Sequence, residues 1–182
     1  MININLDIDG EVTQLSTPQE WAEVTVGQSI RINSIDKEGK SELALIVSIL
    51  SILTGIEEEI LWMLSPEQFM ELSEVIKFTN EEIVGTKVDS VMVGEEEYFL
   101  KKDFEKLTLG EIISIETIMK QSDGNLTDAM GKLLCIFLRK KKPNGNLETF
   151  RNSFMDREEQ FMDLKITDVN NVFIFFLDGN HS

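Results

Sequence analysis

The chain begins with alternating apolar and polar residues. Four apolar side chains, each separated from the next by a polar one, open the sequence: Ile2, Ile4, Leu6 and Ile8. A period of two is typical of a half-buried β-strand. The Asp9-Gly10 pair that follows favours a tight hairpin turn, because the twist of such a turn matches that of the flanking strands. We therefore predict an N-terminal β-hairpin whose second strand includes Val12 to Leu15.

Most of the remaining apolar residues recur at helical spacing. The stretch from Leu43 to Thr54 predicts a buried core helix, and further apolar stripes run from Phe69 to Ile76 and from Met130 to Leu138. Six segments fit a capping box, in which Ser or Thr caps the first amides of a helix and Glu or Gln three residues later reaches back. The boxes begin at Thr17, Thr25, Thr54, Ser65, Thr79 and Thr108. Their recurrence predicts a helical bundle; the box at Thr79 is the weakest, because no long apolar helix follows it.

Two later segments have a different character. Lys87 to Val93 and Glu96 to Leu100 are rich in β-formers around a glycine turn, and they predict a second hairpin. Near the C-terminus, Val169 to Leu177 is almost entirely apolar, which fits a buried helix or a buried strand. Thr167 as an N-cap favours the helix.

Together these patterns predict an α+β protein that is predominantly α-helical: a helical bundle with an N-terminal β-hairpin and a mid-chain β-hairpin. A length of 182 residues, 42% of them hydrophobic, fits a single compact domain with a substantial core. Helices give way to a hairpin near residue 85. That point is the candidate seam between a subdomain of residues 1–85 and one of residues 86–182, each consisting of a hairpin plus helices.

The sequence predicts a protein that neither spans a membrane nor follows the secretory route. No apolar stretch reaches the roughly 18 to 20 residues that a membrane helix needs. The segment from Met1 to Asp9 lacks the basic start and apolar run of a signal peptide. The single cysteine, Cys135, excludes an internal disulfide framework. We therefore expect the protein in a reducing interior, or in a particle assembled in one.

The net charge of −16, from 17 basic and 33 acidic residues, limits the choice of partner. Duplex DNA is bound by neutralising its phosphates with Lys and Arg, so we expect neither direct nucleic-acid binding nor binding to anionic membranes. The simplest interpretation of the charge is solubility. A basic protein partner, or inhibition by mimicry of DNA, is the sharper alternative.

Residues for common catalytic chemistry are missing from the sequence. The only histidine, His181, lies beside the C-terminus, and the only cysteine, Cys135, lies in an apolar run where burial would keep its thiol inert. One His and one Cys cannot supply a zinc site or a Cys-His nucleophile, and the sequence has no glycine-rich phosphate loop. We predict no catalytic residue, cofactor, metal or small-molecule substrate. The 33 acidic residues leave a carboxylate metal site as an open alternative.

Four features are candidates for contact with a partner. Trp21 and Trp62 are each more typical of a core, but tryptophan is also enriched at interface hot spots. The basic run Arg139, Lys140, Lys141 and Lys142 closes a predicted helix, where cations favour the C-terminal dipole, and is otherwise a docking point for an acidic neighbour. The aromatic C-terminal segment contributes Phe173 and Phe176.

A set of short motifs in a fixed order resembles a known group of proteins. Trp21 to Gln28 is followed by an apolar helix ending at Thr54-Gly55, then by Tyr98, Asp103 and the run Leu107 to Glu111. Further on come Asn125-Leu126, a helix ending at Arg139, Arg151 with Phe154, and a closing Phe175-Phe176. This order is similar to that of small proteins encoded among the structural genes of tailed bacteriophages, including crAss-like phages.

The resemblance implies a virion component, packaged cargo protein or tail-assembly factor that contacts other phage structural proteins or copies of itself. The expected location is then the virion, or the host cytoplasm during assembly. The alternative is an acidic DNA mimic that inhibits a host nuclease or restriction enzyme, and it follows from the charge. A third option, an enzyme that acts through carboxylates and a bound metal, follows from the abundance of acids.

Overall fold

The structure, a computed structural model, describes residues 1–8, 11–86, 88–101, 103–170 and 172. The protein is 53% helical and 15% strand. The predicted fold class, α+β and mostly helical, is therefore confirmed. The excess of helix over strand agrees with the sequence, in which segments with apolar residues at helical spacing outnumber segments with alternating apolar residues.

The N-terminal hairpin is confirmed. Strands β1 (Ile2–Ile8) and β2 (Glu11–Thr17) pair antiparallel, with Ile4 opposite Leu15. Both of these side chains are buried, because alternation places one face of the hairpin against the core. The Asp9-Gly10 turn lies outside the described residues.

Four helices follow the hairpin. They are α1 (Val26–Asn33), α2 (Glu42–Thr54), α3 (Glu58–Leu61) and α4 (Pro66–Val75), with 3-10 turns at Trp21–Glu23 and Ile76–Asn80. Helix α2 is the predicted core helix, and it ends where Gly55 adopts a left-handed φ of 76°. That conformation favours glycine, which has no Cβ to clash with the backbone.

The second sheet has three strands where two were predicted. Strands β3 (Ser90–Val93) and β4 (Glu96–Leu100) form the expected hairpin, although β3 begins three residues later than predicted. Strand β5 (Leu138–Arg139) adds antiparallel to β4, with Leu100 opposite Leu138. The apolar stripe at Met130–Leu138 therefore changes from helix to strand at its last residue, because the neighbouring edge of β4 accepts the chain.

Three more helices follow the second hairpin: α5 (Leu109–Gln121), α6 (Leu126–Phe137) and α7 (Glu158–Phe161), with 3-10 turns at Phe104–Lys106 and Asn152–Arg157. Helix α6 is central: it packs on α1, α5 and α7, and every residue from Leu133 to Phe137 is buried. Gly131 leaves room for the Met162 and Glu158 side chains, because a Cβ there would lie 2.2 Å from Cε of Met162 and 2.8 Å from Oε1 of Glu158.

Core residues from both sides of residue 85 belong to one apolar cluster, which runs from Ile4 to Val172. The backbone also joins the two halves directly. The Val26 amide donates to the Leu164 carbonyl at 2.8 Å, and the Ile166 amide donates to the Val24 carbonyl at 3.0 Å.

Three of the six predicted capping boxes are confirmed, at Thr25, Ser65 and Thr108. The other three predictions were wrong. Thr17 belongs to β2 and pairs with Ile2, and Thr54 is the last residue of α2, where its hydroxyl donates to the Leu50 carbonyl at 2.7 Å. Thr79 lies inside the 3-10 turn Ile76–Asn80, and its hydroxyl donates to the Ile76 carbonyl.

Residues 166–170 and 172 are helical, as the apolar C-terminal segment favoured. The helical residues begin one position before Thr167, which therefore lies inside the helix and is not its N-cap. The rest of that segment lies outside the described residues.

Candidate functional site

The two tryptophans occupy opposite environments. Trp21 is buried: its ring N–H donates to the Glu81 carbonyl at 3.0 Å, and its ring meets Phe78 edge-on at 5.5 Å. Trp62 is 55% exposed, and the next residue, Met63, is 56% exposed. The Trp21 ring thus makes its contacts inside the fold, whereas the Trp62 ring is exposed to solvent.

The basic run at residues 139–142 also contains residues in different environments. Arg139 is 1% exposed and belongs to strand β5, so it does not close a helix as predicted. Lys140 forms an ion pair with Glu96, and the Lys141 ammonium lies 3.5 Å from the centre of the Phe99 ring. Arg139 is buried with partners inside the fold, the Cys135 carbonyl and the Glu111 carboxylate, whereas Lys140 and Lys141 find theirs nearer the surface.

A buried ion cluster, which we define as Lys101, Glu111 and Arg139, surrounds the start of α5. The Lys101 ammonium lies 2.8 and 2.7 Å from the two Glu111 oxygens, and an Arg139 nitrogen lies 3.2 Å from one of them. The Thr108 amide and hydroxyl also donate to Glu111, at 2.7 and 2.9 Å. Glu111 is therefore both the reciprocal partner in a capping box and the counter-ion of two cations.

These contacts keep Glu111 ionised. Burial of the carboxyl group raises its pKa, but the hydrogen bonds from Lys101, Thr108 and Arg139 outweigh burial and lower the pKa to about 2. Arg139 also donates to the Cys135 carbonyl, and its guanidinium carbon lies 4.9 Å from the centre of the Phe150 ring. Its Nε has no hydrogen-bond partner within the described part of the chain.

Sequence reasoning found Glu111 only as a capping residue and missed its ionic role. The local signal was the Thr108 box, which says nothing about a cation 28 residues away. Lys101 and Arg139 come to Glu111 only through the pairing of β4 with β5.

On its outer side, α5 carries an exposed apolar row, which we define as Leu109, Ile112 and Ile113. These side chains are 72%, 40% and 53% exposed. Their spacing of three and four residues places them on one helical face. Glu111 points inwards from the same turn, so the buried ion cluster fixes the part of the helix that presents the α5 apolar row.

A groove of about 550 Å³ adjoins this row. Ile113 and Ile118 of α5 line it together with Met155, and Lys132 and Asn152 contribute polar atoms. An exposed apolar row beside a groove is a candidate surface for contact with another macromolecule, because apolar side chains clustered in solvent often mark such contacts.

Cys135 is buried, as predicted for a core residue. Burial, followed by the nearby Glu158 carboxylate, raises the pKa of its thiol to about 12. A thiol with so high a pKa is a poor nucleophile at neutral pH.

Three of the singled-out residues, Phe173, Phe176 and His181, lie outside the described residues. Within the described ranges, no group of three His, Cys, Asp or Glu side chains is placed to hold a metal ion. No helix among the described residues is long and apolar enough to cross a membrane.

Comparison of the chain with protein-family models, with curated proteins and with solved structures found no match.

Proposed function

We propose that this chain is a non-enzymatic protein of a tailed bacteriophage that acts through protein–protein contacts in the virion or during its assembly. The observation that carries the proposal is the α5 apolar row, with Leu109, Ile112 and Ile113 all exposed on one helical face. The motif order described above supports the phage setting. The partner is another phage structural protein or a further copy of this chain.

The physical argument rests on the cost of an apolar surface in water. Full burial of a Leu or Ile side chain contributes about 1.5 to 3 kcal/mol. Three such side chains on a helix that the buried ion cluster holds in place form a rigid contact, so little ordering would be needed on binding. The exposed Trp62 and Met63 offer a second apolar contact of the same kind.

Mass spectrometry of purified phage particles tests the setting. We expect the chain in mature particles at a fixed ratio to the structural proteins. Its absence from mature particles but presence in assembly intermediates would leave the assembly role alone, and absence from both would contradict the proposal.

A double variant tests the surface. Ile112→Gln/Ile113→Gln is expected to fold, because both side chains are exposed, but to lose at least tenfold in incorporation into particles, since interface hot spots contribute 2 kcal/mol or more. Met92→Gln, which changes a side chain 58% exposed on β3, is the matched control and should incorporate normally. Equal incorporation of the double variant and the control would rule out the α5 apolar row as the contact.

The second candidate function is inhibition of a nuclease by mimicry of DNA. It is favoured by a row of exposed carboxylates on α4, Glu67, Glu71 and Glu74, at helical positions i, i+4 and i+7. If this row imitates phosphates, the protein should inhibit restriction cleavage of DNA, and Glu67→Gln/Glu71→Gln should relieve the inhibition. Undiminished cleavage in the presence of excess protein, across a panel of restriction enzymes, would dismiss this candidate.

A further inference from the structure

A basic pocket of about 470 Å³ stands out on this acidic molecule. We define it by its charged residues: Lys142, Arg151 and Arg157, together with Glu148. Three cations and one carboxylate give the pocket a local charge of +2 (3 − 1), in a chain whose net charge is −16. Its charge is thus opposite to that of the molecule.

A hairpin after β5 holds one wall of the pocket. The Lys142 amide donates to the Asn146 carbonyl at 2.8 Å, and the Glu148 amide donates to the Lys140 carbonyl at 2.9 Å. Gly145 makes the turn with a φ of 80°, a left-handed conformation that favours glycine. Lys142 and Glu148 are therefore fixed by backbone hydrogen bonds as well as by their side chains.

Arg157 forms a second, immobilised wall. Two of its nitrogens bind the two oxygens of Glu148, and its guanidinium carbon lies 3.9 Å from the centre of the Phe154 ring. Burial alone would raise the pKa of Glu148, but the hydrogen bonds from Arg157 and the Lys140 amide, together with the charges of Arg157 and Arg139, lower the pKa overall. This pair is neutral overall, so it contributes shape rather than net charge.

The other two cations are not neutralised. The Arg151 side chain is exposed and has no ion pair within the described part of the chain. The Lys142 ammonium donates to the Thr149 hydroxyl at 3.2 Å, and in the described residues it has no carboxylate partner. The Ser153 hydroxyl lines the same pocket. Donors from a planar guanidinium, an ammonium and hydroxyls thus line one pocket, and its one carboxylate, Glu148, is already paired with Arg157.

We propose that the basic pocket binds two carboxylates of an acidic peptide segment on a partner protein. Guanidinium groups match carboxylates in plane and spacing, and charge-assisted hydrogen bonds of this kind are among the strongest that proteins make. The two unneutralised cations set the number of carboxylates. The inference rests on the proposed contact function and names the chemistry of the partner.

The negative charge of the whole molecule restricts where an acidic peptide can bind. A chain with a net charge of −16 repels an acidic peptide over most of its surface, so binding has to be local. Lys140, close to the pocket in sequence, does not compete for the peptide, because it is already paired with Glu96.

The test is fluorescence anisotropy with a fluorescein-labelled hexaglutamate peptide. We expect saturable binding to the wild-type chain, and binding weakened about tenfold or more by Arg151→Gln, because a charge-assisted hydrogen bond is lost. Arg151→Lys keeps the charge but loses the planar fork, and it should bind with intermediate affinity. Circular dichroism verifies that each variant is folded.

Arg31→Gln is the matched control, because it removes the same charge from an exposed arginine on α1, away from the pocket. It should leave peptide affinity within about twofold of the wild type. Equal weakening by Arg31→Gln and Arg151→Gln, or no binding of the peptide at all, would overturn the proposal.

Two further arms separate related explanations. Inorganic phosphate at millimolar concentration should compete only weakly; a chain that binds phosphate but not the peptide has a small-anion site, which contradicts the assignment to a peptide. Ile112→Gln/Ile113→Gln should still bind the peptide. If the peptide fails to bind while the wild-type chain is still found in phage particles, the pocket assignment fails and the proposed function stands.

Discussion

At the scale of single residues, the Glu111 carboxylate is held by three side chains and a backbone amide. It is 2% exposed, and Arg139, one of its two cationic partners, is 1% exposed. A buried ion pair contributes little net stability compared with a well-packed apolar pair, but removing one partner leaves the other charge buried and uncompensated. The cluster is therefore a point where a change of one atom should have a large effect.

Glu111→Gln tests this dependence. The amide has almost the same shape but no charge, so Arg139 remains buried without its counter-ion, and we expect a loss of about 3 to 5 kcal/mol in the free energy of unfolding. Urea denaturation measures it. Glu116→Gln, an exposed change on the same helix, should shift stability by less than about 0.5 kcal/mol. Comparable losses in both variants would mean that the buried ion cluster has no special role.

Acid should destabilise the fold through the same carboxylate. The pKa of Glu111 falls from an ordinary value of 4.5 to about 2 on folding, so its contribution is fully present above pH 4.5 and is lost as the pH falls towards 2. The shift corresponds to about 3 kcal/mol. Unfolding free energies measured between neutral pH and about pH 2 should decline more steeply for the wild type than for Glu111→Gln, since only the wild type has this group to protonate. Parallel declines would contradict this assignment.

At the scale of elements, helix α6 organises the molecule, and its surface has to fit several neighbours at once. It packs on α1, α5 and α7, and Gly131 leaves room for the Met162 and Glu158 side chains. The capping boxes show the same dependence on surroundings. The box at Ser65 forms, with Pro66 as the first helical residue, but Thr17 is held in a strand by its pairing with Ile2.

Gly131→Val should destabilise the protein by about 1 kcal/mol, because the added atoms meet Cε of Met162 and the Glu158 side chain, and both side chains have to shift. Gly110→Ala is the matched control. A Cβ at Gly110 meets nothing within 4 Å, so the substitution should be neutral or stabilise α5 by up to about 1 kcal/mol. Thermal denaturation of the two variants measures the difference, and a Gly131→Val variant as stable as the wild type would show that the Met162 and Glu158 side chains move aside without cost.

At the scale of the whole molecule, the net charge of −16 opposes folding through self-repulsion. The exposed acids lie on several elements, and among the described residues the run Glu57 to Glu59 forms no ion pair. Long-range repulsion of this kind is screened by salt, whereas the buried ion cluster is much less affected.

We expect the thermal midpoint to rise when sodium chloride is increased from about 0.01 M to about 0.1 M, because the Debye length shortens from about 30 Å to about 10 Å. Replacing Glu57, Glu58 and Glu59 together with Gln should make this rise smaller. A midpoint that falls with salt would instead indicate that exposed ion pairs, such as Lys77 with Glu74, dominate the surface electrostatics.

The sequence by itself determined the local elements of this protein. Alternation specified the N-terminal hairpin, helical spacing specified α2, and the Thr108 box placed the start of α5 at Leu109. These features depend on neighbours within about four residues along the chain, so a linear pattern contains the information.

Only the tertiary structure decided which polar and aromatic groups are buried. It placed Trp21 in the core and Trp62 in solvent, and it turned Arg139 from the end of a predicted helix into the buried partner of Glu111. It also brought Arg151 and Arg157 to the pocket of Lys142. A buried charge needs a counter-ion to be stable, and here the fold brings that counter-ion from a distant segment of the chain. The pattern of residues along the chain does not show which distant segments meet.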